Sequence, residues 1–131
     1  NRFLHALVLA DFKVLPLSPE EWVKPWEVGV HQIRIMAYPD QPGDPTPEGI
    51  HQDGFNYLWM HLMSRTGRKA PTTFYDAQEQ LVYQGILHRP LESVAFDDIR
   101  LKHKTGLFHV ARGSRKSVRD ILILTFHPIE R

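Results

Sequence analysis

The feature that most limits the fold of this chain is a succession of short, strand-like runs, broken by turn residues at close intervals. The first begins at Val28. Val28, Val30, Gln32, Arg34, Met36 and Tyr38 alternate with Ile33, Ile35 and Ala37, the two-residue period of an extended strand. Further candidates are Phe55–Met63, Thr72–Tyr75, Gln80–Leu87, Ile99–His103, Leu107–Ala111 and Val118–Phe126. Many short strands with little helix between them predict a mainly β fold. The antiparallel sheet should be closed or sandwiched, as in a jelly roll or cupin. Helix is expected only at the start. Phe3, Leu7, Val8, Phe12 and Leu15 have helical spacing, and Ser18-Pro19-Glu20-Glu21 combines a cap, a first-turn proline and acids. Between Pro39 and Gly49, four prolines and two glycines predict a rigid, irregular loop.

At 131 residues the chain has the size of one domain with one core, so residues 1–131 are read as a single barrel. A formal net charge of +1 excludes the broad basic excess of a nucleic-acid binder. The basic cluster from Arg112 to Arg119 reads as a solvated loop. No apolar run approaches the ~20 residues that cross a bilayer, and no small-residue cleavage site follows the apolar Phe3–Leu9. The expectation is a cytoplasmic chain with a small-molecule substrate, bound to neither nucleic acid nor membrane. The lack of cysteine excludes disulfides and thiolate metal sites. Histidine is over-represented, with eight residues, and it is the commonest metal ligand.

The proline-rich loop leads into His51-Gln52-Asp53-Gly54. In an extended strand His51 and Asp53 would point to one side and could share an ion. A histidine from a distant strand would complete a two-histidine, one-carboxylate triad, which leaves coordination positions open for a cosubstrate and O₂. Phe55, Tyr57, Trp59 and His61 share parity with Asp53. Such an aromatic face is most often core, with Tyr57 a candidate for touching substrate.

The string Pro45-Thr46-Pro47-Glu48-Gly49-Ile50-His51-Gln52-Asp53-Gly54-Phe55 resembles the bacterial Fe(II)/2-oxoglutarate dioxygenase family that includes the free L-isoleucine hydroxylases. Blocks in matching order follow: His61-Leu62 with Arg65, Tyr75-Asp76, Phe96-Asp97-Asp98 leading to His103, and Arg119-Asp120-Ile121-Leu122 running to Thr125-Phe126. The resemblance spans about Val30 to Phe126. It implies a double-stranded β-helix that hydroxylates an unactivated C–H bond with Fe(II), 2-oxoglutarate and O₂, on a free aliphatic L-amino acid. Two histidines compete for the third ligand position. His103 has the family's spacing from Asp97-Asp98 and shares a strand face with Ile99 and Leu101, whereas His109 lies between Phe108 and Val110. Parity and resemblance together favour His103. Arg119 is the candidate anchor for the distal carboxylate of 2-oxoglutarate, because a planar guanidinium grips a carboxylate in bidentate fashion, and Thr125 shares its strand face.

Departures from the family also appear. Arg68-Lys69-Ala70-Pro71 stands where Gly-Gly is usual, Lys104-Thr105-Gly106 replaces Val-Thr-Pro, and Asn56 replaces an aspartate. The N-terminal part is also shorter than is usual in the family. Two rival readings follow: a cupin-type metalloenzyme that is not an oxygenase, and a non-catalytic binding barrel whose iron site has decayed.

Overall fold

The computed structural model describes residues 1–130. Helix α1 (Arg2–Lys13) is capped by Asn1, whose side chain accepts from Leu4 N. Helix α2 (Pro19–Trp22) is a single turn closed by a capping box between Ser18 and Glu21. Nine strands follow among the described residues: β1 (Trp26–Ala37), β2 (Tyr57–Arg65), β3 (Arg68–Lys69), β4 (Thr72–Tyr75), β5 (Leu81–Gly85), β6 (Ser93–Asp97), β7 (Lys102–Thr105), β8 (Phe108–His109) and β9 (Ser117–Pro128). They form an antiparallel sheet in the order β1-β9-β2-β6, opposed by β5-β4-β7 and the short pair β3-β8. This is the mainly β, jelly-roll arrangement that the short runs predicted.

β9 is central in the larger sheet and is covered on both faces, hence its unbroken Ile121-Leu122-Ile123-Leu124-Thr125-Phe126. Leu122, Leu124 and Phe126 meet Leu4, Leu7, Val8 and Phe12 of α1 on the outer face, together with Tyr57 and Trp59 of β2. The inner face carries Leu58, Phe74 and Phe96 in one cluster and Met60, Leu62 and Ile121 in another, which fill the space between the sheets.

Two expectations about strands need correction. Ser93–Asp97 is a strand that the sequence reading passed over, an edge strand that pairs only with β2. The run Ile99–His103 starts as a turn. Asp97 Oδ1 accepts from Ile99 N and Arg100 N, so pairing begins at Lys102 and Ile99 is left exposed.

One polar tie crosses the interface between α1 and the sheet. Asp11, buried on α1, lies 2.6 Å from His61 Nε2. His61 Nδ1 meets Ser93 Oγ, whose own hydrogen goes to Leu91 O at 2.8 Å. Ser93 therefore accepts from Nδ1–H, and the Asp11 contact needs one further proton shared between carboxyl and imidazole. Burial pushes the Asp11 carboxyl above its ordinary 3.8, against the bonding and charge of His61. A value raised by folding contributes stability that is complete below the unfolded value and lost as pH rises through the folded one. The stability of the wild type relative to Asp11→Asn should therefore fall as pH is raised from about 4 toward neutrality. Urea midpoints of the two proteins across that range test it, and a difference independent of pH would rule out a carboxyl raised by folding.

Candidate metal centre

The proline-rich segment runs along β7 and β8 and is fastened to them by backbone. Gly43 exchanges hydrogen bonds with Phe108, and His51 exchanges them with His103 at 3.0 and 2.9 Å. Thr46 adds a side-chain tie, its Oγ1 donating to Thr105 O and accepting from Thr105 N. These bonds bring the His51 and His103 rings to a centroid separation of 4.2 Å.

The extended stretch expected to carry both His51 and Asp53 is absent. Only His51 is paired, and the chain turns sharply at Gly54, whose φ of +88° is a left-handed conformation that glycine adopts without steric cost. A buried carboxylate does the work of the strand. Asp98 Oδ2 accepts from Asp53 N at 2.9 Å, Gly54 N at 2.7 Å and Phe55 N at 3.2 Å. Burial pushes the Asp98 carboxyl above its ordinary value, while the backbone donors oppose that shift.

His51, Asp53 and His103 each present a ligand atom within 4.8 Å of the others. Asp53 Oδ1 lies 3.3 Å from His51 Nε2, and Oδ2 lies 3.2 Å from His103 Nε2. Ligands at right angles on bonds of ~2.1 Å sit about 3 Å apart, so the spacing matches one face of a small ion's coordination shell. His51 Nδ1 is 2.9 Å from Gly49 O, a contact that is a hydrogen bond only if Nδ1 carries the proton. The Nε2 lone pair is then free for a metal. The Asp53 carboxyl is held below its ordinary value foremost by the His103 ring beside it, against the cost of burial. Of the two competing histidines, His103 is in the cluster. His109 is in β8 opposite Arg68 and outside it.

The cluster opens on a cavity of about 160 Å³ lined by Thr46, His51, Asp53, His103, Thr105 and Arg119, among others. Arg119 is only 3% exposed, and its Nε and Nη2 have no hydrogen-bond partner among the described residues. Burial, with a smaller contribution from Arg65, pulls its guanidinium down to about 10. A desolvated cation without a counter-charge is costly, and an incoming carboxylate would relieve it.

Thr125 is elsewhere. It lies six residues from Arg119 on the same strand, roughly 20 Å away at ~3.3 Å per residue. It lines a second, wider hollow of about 520 Å³ with His31, Ile33, Asp53, Phe55, Leu58 and Ile123. Sharing a strand face did not bring Thr125 to the Arg119 end. Tyr57 is displaced too. It packs in the outer-face cluster with Trp26, because the parity changes between Phe55, which still lines the hollow with Asp53, and β2, where Leu58 takes the inner face. Three residues at the site were passed over: Asp98, Thr105 and His31. Thr105 was recoverable, since it shares strand parity with His103. Asp98 and His31 become neighbours of Asp53 only through tertiary packing.

Across residues 1–125 the chain matches the model of the 2OG-Fe dioxygenase family. It belongs to that family. Two imidazoles and one carboxylate suit ferrous iron, and the unpartnered guanidinium in the same cavity suits the carboxylate of 2-oxoglutarate. Among curated proteins the chain is similar to an L-isoleucine-4-hydroxylase of Bacillus thuringiensis, with 28% identity over 101 residues. That match covers 76% of this chain and 41% of the hydroxylase. Among solved structures, IDO from Bacillus thuringiensis superposes with a TM-score of 0.84 at 22% identity, over 97% of this chain and 57% of that one. The Fe(II)/α-ketoglutarate-dependent dioxygenase TqaL follows at 0.69 and 18% identity, over 81% of this chain and 43% of its own. A bsmA homologue from Methylobium petroleophilum gives 0.63 at 27% identity, over 78% and 41%. This member of the 2OG-Fe dioxygenase family thus spans about half the length of the relatives it matches. No helix among the described residues is long and apolar enough to cross a membrane.

Proposed function

We propose that this chain is the barrel of a 2-oxoglutarate-dependent hydroxylase, with His51, Asp53 and His103 as iron ligands and Arg119 as the anchor for 2-oxoglutarate. The observation that carries this reading is the pairing of the ligand cluster with a buried, unpartnered guanidinium in one cavity. With Fe(II), 2-oxoglutarate and O₂ bound, one oxygen atom enters a substrate C–H bond while 2-oxoglutarate becomes succinate and CO₂. The protein's own part is to place and to exclude. Arg119 orients the cosubstrate by its carboxylate, and Ile33, Ile121 and Ile123 keep water from the cavity.

The wider hollow on the other side of Asp53 is where we place the substrate. Ile33, Phe55, Leu58 and Ile123 offer an apolar wall, and His31 and Thr125 offer polar atoms. A small molecule with an aliphatic body and a polar end fits that lining, and a free aliphatic L-amino acid is such a molecule. The curated relative named for L-isoleucine supports this choice of class. On this reading residues 1–131 act as one domain. Succinate release from 2-oxoglutarate with Fe(II), measured across the proteinogenic amino acids, tests the proposal. Release stimulated by an aliphatic amino acid is expected. Release that no amino acid stimulates above the uncoupled background would remove the substrate class, and no release at all would remove the activity.

A further inference from the structure

We propose that Asp98 is a positioning residue that sets two of the three metal ligands through a single carboxylate. The inference rests on reading His51, Asp53 and His103 as ligands. One oxygen, Oδ2, gathers the backbone N–H groups of Asp53, Gly54 and Phe55, which determines where the Asp53 side chain leaves the loop. The other oxygen, Oδ1, faces His103 Nδ1 at 3.7 Å. Both of those atoms are buried, and neither has a hydrogen-bond partner among the described residues. An acceptor and a potential donor left facing each other in the interior need only a small approach to satisfy both. A hydrogen bond there places the proton on Nδ1 and turns the Nε2 lone pair toward Asp53, as Gly49 O does for His51.

The surrounding bonds show that the segment is built to hold this carboxylate. Asp98 is 1% exposed, Asp98 N donates to Asn56 O, and Gln52 Nε2 donates to the carbonyls of Asp98 and Ile99. The turn after β6 and the loop before β2 are thereby locked together at the point where the ligands diverge. Asp97, next in sequence, is spent on its own turn and cannot substitute.

The test compares wild type with Asp98→Asn. The amide oxygen can still accept from the loop, but an NH₂ group then faces His103 Nδ1 and favours the tautomer whose Nε2 is blocked. Co(II) affinity, followed by titration and by the visible absorption of the bound ion, should fall ten- to a hundred-fold, the range for such supporting carboxylates. The absorption at saturation should also change, because the ligand geometry is altered. Asp98→Glu, which keeps the charge, should recover part of the affinity and serves as the measurement if the Asn variant does not fold. A structural role alone would lower the metal-free melting temperature and leave affinity and spectrum of the folded protein unchanged, and that result overturns the proposal. A wild type that binds no Co(II) overturns the ligand assignment, and this proposal with it.

Discussion

Asp53→Ala is expected to abolish succinate release at every Fe(II) concentration while leaving the barrel folded. Asp53 supplies the carboxylate of the cluster, and with Ile33 and Ile123 it lines both the small cavity and the wider hollow. It is not a member of the apolar clusters that hold the sheets together, so the loss falls on the site. A ligand that favours the native state stabilises it by about 2.7 kcal/mol at a hundred times its dissociation constant. For a domain of this size that is a rise in melting temperature of about 10 °C. The wild type should show such a rise with Fe(II) or Mn(II), and Asp53→Ala should not. Without metal the variant should melt at or slightly below the wild-type temperature, since the folded state favours the Asp53 carboxylate beside His103 and that contribution is lost. A wild type whose melting temperature ignores Fe(II), Mn(II) and 2-oxoglutarate together would leave a binding barrel with no working centre.

Arg119→Met should act in the opposite sense on stability and just as strongly on cosubstrate use. The guanidinium is pulled down to about 10 chiefly by burial. Folding therefore depresses its affinity for a proton, and the folded chain carries the whole penalty at neutral pH, about 3 kcal/mol at 1.36 kcal/mol per unit. That penalty lifts only as pH rises through about 10. Replacing the cation with an apolar side chain of similar reach should raise the melting temperature in the absence of 2-oxoglutarate. The lost carboxylate pair contributes on the order of 1.5–3 kcal/mol, so the KM for 2-oxoglutarate should increase roughly ten- to a hundred-fold. Metal affinity should be nearly unaffected, because Arg119 is not among the ligands. An unaltered KM would place the cosubstrate elsewhere, and an unaltered melting temperature would mean that Arg119 has a partner already.

These two variants bear on residues that the sequence pointed to without any coordinates, and the reason is local. His51 and Asp53 sit in one short string, and His103 and Arg119 share strand parity with apolar residues, Leu101 for one and Ile121 and Ile123 for the other, which is a property of nearby residues. Most of the strands, the helical start and the helix cap at Ser18 were legible on the same grounds, since alternation, caps and turn residues act over a few positions.

Where that reasoning missed, a local irregularity altered the geometry. The irregular step between Phe55 and β2 put Leu58 rather than Tyr57 on the side that faces the site and sent Tyr57 under α1. The turn made by Asp97 delayed β7 and exposed Ile99. Sharing a face on β9 did not put Thr125 and Arg119 at one hollow, because parity fixes direction only and six residues at ~3.3 Å each hold them apart. Sequence by itself determined the kinds of side chain available and the faces on which strands present them. The tertiary structure alone decided that Asp98, distant in sequence from Asp53, would hold its loop, and that Arg119 would be buried without a partner. Both outcomes depend on contacts between segments that loop closure brings together, and no pattern of neighbouring residues encodes such contacts.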